Sequence, residues 1–216
     1  MKFKGIIFDM DGVIFDSEKI YLKNWQDVFE SYGYSLKKET YVRGMGIGKE
    51  KIKELFREEY GQDLLVDEMY IEKDKRLNKY LENIELKSGV IEILKYLKDN
   101  NYKVSIATSS RKSRVITFLE SKNISNYFDE IVCSDDVVNF KPNPEVFLSA
   151  AKKLNLDVNE CLVVEDSYAG LLASKNANIK AIHIPDLRQN DDISNELSFK
   201  VFSNLLEFKD FLKLNN

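Results

Sequence analysis

The chain is 216 residues long, 44% hydrophobic and 31% charged, a balance that supports one sizeable core or two modest ones and excludes a disordered or fibrous protein. Its 32 basic and 36 acidic residues leave a net charge of -4, so no bulk field draws it to nucleic acid or a membrane surface, and any basic site must be local. No run approaches the ~18 apolar residues of a membrane span, and the apolar N-terminal segment stops at Asp9, too short for a leader, so the chain is expected to begin at Met1.

The first element in chain order is a short buried strand over residues 3–8, followed at once by Asp9-Met10-Asp11-Gly12-Val13. The long stretch before the next strand reads almost wholly as helix, over 17–32 (closed by Gly33), 49–60 and 66–84. Such a block predicts an inserted helical domain over 17–86, with residues 1–16 and 87–216 forming the core and a hinge at the two connections. From Ser88 onward strand and helix alternate. Ser88 is placed to cap a helix with Val90, Ile91, Leu94 and Leu97 on one face, and strands follow at 102–107, 129–133, 161–165, 180–184 and, more weakly, 200–202. Asn143-Pro144 reads as a cap with proline at the first helical position, ahead of Phe147, Leu148, Ala151 and Leu154. The alternation predicts an α/β fold, a Rossmann-like doubly wound parallel sheet whose sites form beyond the carboxyl ends of its strands. Cys133 and Cys161 sit in apolar runs without disulfide or zinc spacing, which reads as buried reduced thiols in a cytoplasmic protein.

Four strand ends carry the chemistry. Asp9 and Asp11 follow the first; alone, Asp-X-Asp-Gly is also an ordinary way to end a strand in a turn. The second ends in Thr108-Ser109-Ser110, where a small hydroxyl and free N–H groups leading into a helix suit phosphate oxygens, although such clusters are also simple caps. After the third comes Lys141, framed between a strand and a proline-started helix. The fourth ends in Glu165-Asp166, a buried acidic pair that needs a cation. Brought to one rim, four carboxylates call for a hard ion with oxygen ligands, and magnesium is the natural one. The set suits phosphoryl transfer: a nucleophile, cations against the phosphoryl oxygens, and a group that exchanges a proton. His183 is the only histidine and lies in an apolar strand, so histidine-dependent triads have no basis, and no dinucleotide or P-loop glycine motif is present.

On Phe8-Asp9-Met10-Asp11-Gly12-Val13, Thr108, Lys141-Pro142-Asn143-Pro144 and Val164-Glu165-Asp166-Ser167-Tyr168-Ala169-Gly170, in that order, the chain resembles the haloacid dehalogenase superfamily along its whole length. Within it, the resemblance is to the branch of sugar-phosphate phosphatases and β-phosphoglucomutases with a helical cap. The resemblance implies Asp9 as nucleophile and metal ligand, Asp11 as general acid and base that also offers its carbonyl to Mg2+, and Asp166 with Glu165 as further ligands. It implies Thr108, the Ser109 N–H and Lys141 as phosphate-binding groups. In the cap, Gly46 and Lys49 look like the loop that reaches substrate, and Arg76 is a further candidate. Tyr21 departs from the mutases, which have histidine there. The expectation is a monomeric magnesium-dependent phosphatase acting on a small phosphorylated metabolite, with a β-phosphoglucomutase as the alternative and a non-catalytic phosphate-sensing or partner-binding protein as the lesser one.

Overall fold

The computed structural model describes residues 3–77 and 84–215. Six strands, β1 (Gly5–Phe8), β2 (Lys103–Ala107), β3 (Glu130–Val132), β4 (Cys161–Glu165), β5 (Lys180–His183) and β6 (Lys200–Val201), form one parallel sheet in the order β3-β2-β1-β4-β5-β6. The chain winds outward from β1 in one direction and then in the other, so the strand order reverses beside β1 and opens a crevice at the carboxyl ends. Phe8 is in register with both Ile106 and Val164, which brings out the residues after β1, β2 and β4 at one level.

Between β1 and β2 the chain builds α1 (Glu18–Ser31), α2 (Lys38–Arg43), α3 (Lys49–Tyr60) and α4 (Val66–Leu77). These helices share their own apolar cluster, in which Trp25 packs edge-on against Phe56 and Tyr70 with ring centroids 5.2 and 4.7 Å apart. Gly33 ends α1 in the left-handed conformation (φ 83°), with Tyr34 N–H bonded back to the Phe29 carbonyl. The six-residue α2 has no sequence signal of its own, being too short to show a periodic face. The expected continuation of α4 over 78–83 lies outside the described residues. The two chain crossings run side by side: Asp16 N–H donates to the Glu85 carbonyl and Lys87 N–H to the Ile14 carbonyl, each at 2.9 Å.

After the insertion come α5 (Val90–Asp99), α6 (Lys112–Ser121), α7 (Glu145–Lys153), α8 (Tyr168–Asn176), α9 (Asp192–Leu197) and α10 (Leu205–Leu214). Successive strand residues point to opposite faces. Ile6, Phe8, Ile106, Leu162 and Val164 therefore pack against α5, α6 and α10, whereas Ile7, Ala107, Val163 and Ala181 pack against α7 and α8. Each fully buried large apolar side chain contributes about 1.5–3 kcal/mol, which holds the strand ends to the site rigidly. Two helix starts differ from expectation by a residue. α5 begins after Gly89 (φ 88°), not on a Ser88 cap, because Leu206 closes on position 89 and leaves no room for a side chain. α7 begins at Glu145, whose N–H is bonded by the Asn143 side chain at 3.0 Å while Pro144 takes the capping position. Among the described residues no helix is long and apolar enough to cross a membrane. Cys133 and Cys161 are buried free thiols.

Candidate active site

The floor of the site is built from the ends of β1 and β4 and from Lys141, whose loop follows β3. Asp9 extends the β1 ladder, its N–H donating to the Val164 carbonyl at 2.9 Å. Lys141 is only 1% exposed, and its Nζ donates to Asp9 Oδ1 at 2.7 Å and to Glu165 Oε1 at 2.6 Å. Burial alone would neutralise this lysine, but Asp9 and Glu165 override it and raise its pKa. The other oxygen of Glu165 accepts from the Asp166 N–H (2.9 Å), the Ser167 N–H (2.8 Å) and the Ser167 hydroxyl (2.9 Å). Both Glu165 oxygens are thus engaged, and this carboxylate fixes Lys141 and the turn that carries Asp166. Gly170 makes room for it, since a Cβ there would fall 1.8 Å from Glu165 Oε1.

Asp9, Glu165 and Asp166 offer carboxylate oxygens that all lie within 4.8 Å of one another. Burial, reinforced by Glu165 and Asp11, pushes Asp9 up to about 7 despite Lys141, and burial with Glu165 raises Asp166 well above the usual carboxylate range. Asp166 Oδ2 is buried and has no hydrogen-bond partner. A buried acceptor left unpaired is costly, and a hard cation is the partner that this all-oxygen set fits.

Asp11 stands apart from that triad. Its Oδ1 accepts from the Ser17 hydroxyl at 2.6 Å and its Oδ2 from the Ser110 hydroxyl at 2.8 Å. Ser17 heads α1 yet makes no side-chain cap there, its hydroxyl being committed to Asp11. Thr108 is buried at the mouth of the β2–α6 turn, its Oγ1 accepting from the Ser110 N–H at 3.1 Å, and the Ser109 hydroxyl reaches across to the Gly46 carbonyl at 3.0 Å. Gly46 is in the left-handed conformation (φ 76°) against Ser167, where a Cβ would clash at 2.5 Å from the hydroxyl.

These residues line a cavity of about 560 Å³ between the sheet and the insertion. Asp9, Asp11, Thr108, Ser109, Asp166, Gly46 and Lys49 all border it, with Lys49 Nζ 4.6 Å from the Tyr70 ring centroid. Lys141 and Glu165 lie beneath its floor. The structure does not bring Arg76 to the cavity: its guanidinium is bonded to Glu72 (2.7 Å), the Asp27 carbonyl (3.0 Å) and Ser31 (3.3 Å), which turns it onto α1. His183 is buried in β5, with Nδ1 3.2 Å from Asn190.

Other wall residues have no motif to announce them. Glu18 accepts from the Tyr41 hydroxyl at 2.7 Å and is pushed up to about 8 by burial and by Asp11. Lys73 and Arg114 also border the cavity, beside Tyr21, the residue that departs from the mutase pattern. Glu18, Lys73 and Arg114 carry no sequence signal of their own.

The family model described as haloacid dehalogenase-like hydrolase matches residues 6–184. The phosphorylated carbohydrates phosphatase of Thermotoga maritima is 31% identical over 190 residues, covering 83% of this chain and 84% of that protein. The (DL)-glycerol-3-phosphatase 2 of Arabidopsis thaliana is 28% identical over 94% of this chain and 88% of its own length. Among solved structures, a hydrolase from Pseudomonas syringae superposes with a TM-score of 0.86 at 25% identity, over 97% of this chain and 98% of that one.

Proposed function

The chain belongs to the haloacid dehalogenase-like hydrolases, and from that premise we propose that it is a magnesium-dependent phosphatase that removes phosphate from a small metabolite, foremost a sugar phosphate, through a transient aspartyl-phosphate on Asp9. One observation carries the reading: a carboxylate at a cavity floor, fixed by the buried cation Lys141, beside a second carboxylate that two hydroxyls hold in place.

Asp9 attacks phosphorus as the ester oxygen leaves, and Asp11 gives that oxygen a proton. Asp11 then takes a proton from water, which attacks the same phosphorus, freeing inorganic phosphate and restoring Asp9. Thr108 and the Ser109 N–H hold the phosphoryl oxygens, while Lys141, expected to join them, fixes Asp9 from beneath the floor. The unpaired Asp166 Oδ2 supports magnesium here: Asp9 and Asp166 would hold the ion, with the Asp11 main-chain carbonyl as a further ligand. Bound there, the ion supplies positive charge against the carboxylates and the phosphoryl oxygens. The insertion, residues 17–86, serves as a cap over the substrate, with Gly46 and Lys49 on its inner side. The protein acts as a cytoplasmic monomer. Tyr21, in place of a histidine, favours water over a sugar hydroxyl as the acceptor.

Phosphate release across a panel of phosphorylated metabolites tests the reading, with β-glucose 1-phosphate in the panel. Asp9→Asn is expected to lower the rate on the best substrate roughly a thousandfold or more, and chelation of divalent ions to stop turnover until magnesium is restored. Full activity of Asp9→Asn would refute the mechanism. Conversion of β-glucose 1-phosphate to glucose 6-phosphate with little free phosphate would make the enzyme a mutase.

A further inference from the structure

The far end of the cavity carries more positive charge than the phosphoryl-transfer reading uses. Lys73, on α4, and Arg114, on α6, come from opposite sides and meet on one wall. Lys73 Nζ lies over the rings of Tyr70 and Trp25, at 5.3 and 5.7 Å, and the Arg114 guanidinium over Tyr21, at 5.5 Å. Both cations rest on aromatic faces that keep water off them, their side chains 12% and 29% exposed. Lys49 shares the Tyr70 ring.

Among the described residues, the carboxylate paired with both Lys73 and Arg114 is Asp74, 2.5 Å from Lys73 and 4.0 Å from Arg114, with its own side chain 57% exposed, and Asp11 acts on Arg114 as well. Solvent screens so exposed a charge and leaves the pair undercompensated. Burial lowers the Lys73 pKa against the opposing pull of Asp74, and the neighbouring Arg114 and Lys49 add to the lowering. The Tyr21 hydroxyl is buried against Arg114 and Asp11 on the same wall.

We propose that Arg114 and Lys73, with the Tyr21 hydroxyl, bind a second anionic group, so that the preferred substrates are two-headed: phosphate monoesters that carry a carboxylate or a second phosphate at their other end. This rests on the phosphatase reading above and names its substrate class. Arg114 lies close enough to Asp11 for that carboxylate to raise its pKa, and both border the same cavity, so the two ends of the ligand lie within the reach of a small molecule. A guanidinium is suited to a planar carboxylate or to phosphate alike.

The test uses matched pairs that differ only in the second head: glycerol phosphate with phosphoglycerate, glucose 6-phosphate with phosphogluconate, and fructose monophosphate with fructose bisphosphate. The wild-type enzyme is expected to favour the two-headed member of at least one pair by tenfold or more in kcat/KM. The carboxylate pairs and the bisphosphate pair separate the two head groups. Arg114→Gln and Lys73→Gln, on different elements, should each collapse that preference, chiefly through KM, and Arg114→Lys should restore part of it. Phosphate release without preference in any pair, or a preference that survives both substitutions, would overturn the inference and leave the phosphatase reading standing. Should no member of any pair release phosphate, the phosphatase reading fails instead. The melting temperature of the Asp9→Asn protein then decides: a larger upward shift with the two-headed member supports the second subsite, and equal shifts refute it.

Discussion

Lys141 holds two buried carboxylates at once, and the site depends on that cation. With methionine in its place, Asp9 and Glu165 would face each other in a dry floor without counter-charge. Breaking a buried pair in this way costs about 3–5 kcal/mol. Lys141→Met is therefore expected to lower the urea-unfolding free energy by that order as well as to abolish phosphate release, and a variant as stable as wild type would contradict the arrangement. Glu18 offers a second test. Its ordinary pKa of 4.5 rises to about 8 in the fold, first through burial and then through Asp11. Between those values the folded chain keeps a proton that the unfolded chain has lost, so the associated stability is complete below pH ~4.5 and disappears as the pH rises through 8. The slope reaches about 1.4 kcal/mol per pH unit at most. Urea titrations of metal-free protein between about pH 5 and 8 should show a shallower decline for Glu18→Gln; parallel curves would remove Glu18 from the account.

At the scale of elements, four helices on the sheet end alike. Asn101, Asn123, Asn155 and Asn178 all have positive φ, 54 to 58°, each two residues beyond α5, α6, α7 or α8. Asparagine tolerates the left-handed conformation better than most residues, and glycine better still. Asn155 is exposed, so its backbone angle decides the outcome. Asn155→Gly should hold or raise the unfolding free energy, and Asn155→Ala should lower it by about 1 kcal/mol. The reverse ranking by thermal unfolding would contradict this reading of the helix ends. These asparagines were legible stop signals that hydrophobic periodicity passed over. The strands were readable because β1 and the first four residues of β4 are apolar runs buried on both faces. Helix α2 was not, since six residues with Thr40 and Tyr41 inward show no period.

For the molecule as a whole, the floor of the site was more legible than its roof, where Gly46 and Lys49 border the cavity and Arg76 does not. A parallel sheet brings the carboxyl ends of neighbouring strands together, so motifs far apart in sequence converge wherever the strands are identified. The helical insertion has no such register. Lys73 and Arg76 sit about 60° apart around α4, and a modest rotation against α1 decides which of them meets the cavity. Arg76 bonds back to Asp27 and Ser31 of α1, while Lys73 borders the cavity. Arg114 belongs to no motif, and the meeting of α6 with Tyr21 gives it its surroundings.

The paired crossings at Asp16–Glu85 and Ile14–Lys87 have an evolutionary consequence. Because the insertion departs and returns at one spot, it is to the sheet no more than a very long loop between β1 and β2, and strand order and register do not depend on what that loop contains. Helices α1 to α4 can diverge, lengthen or be exchanged while Asp9, Lys141 and Asp166 keep their places. A lineage built this way can revise its diet without relearning its chemistry.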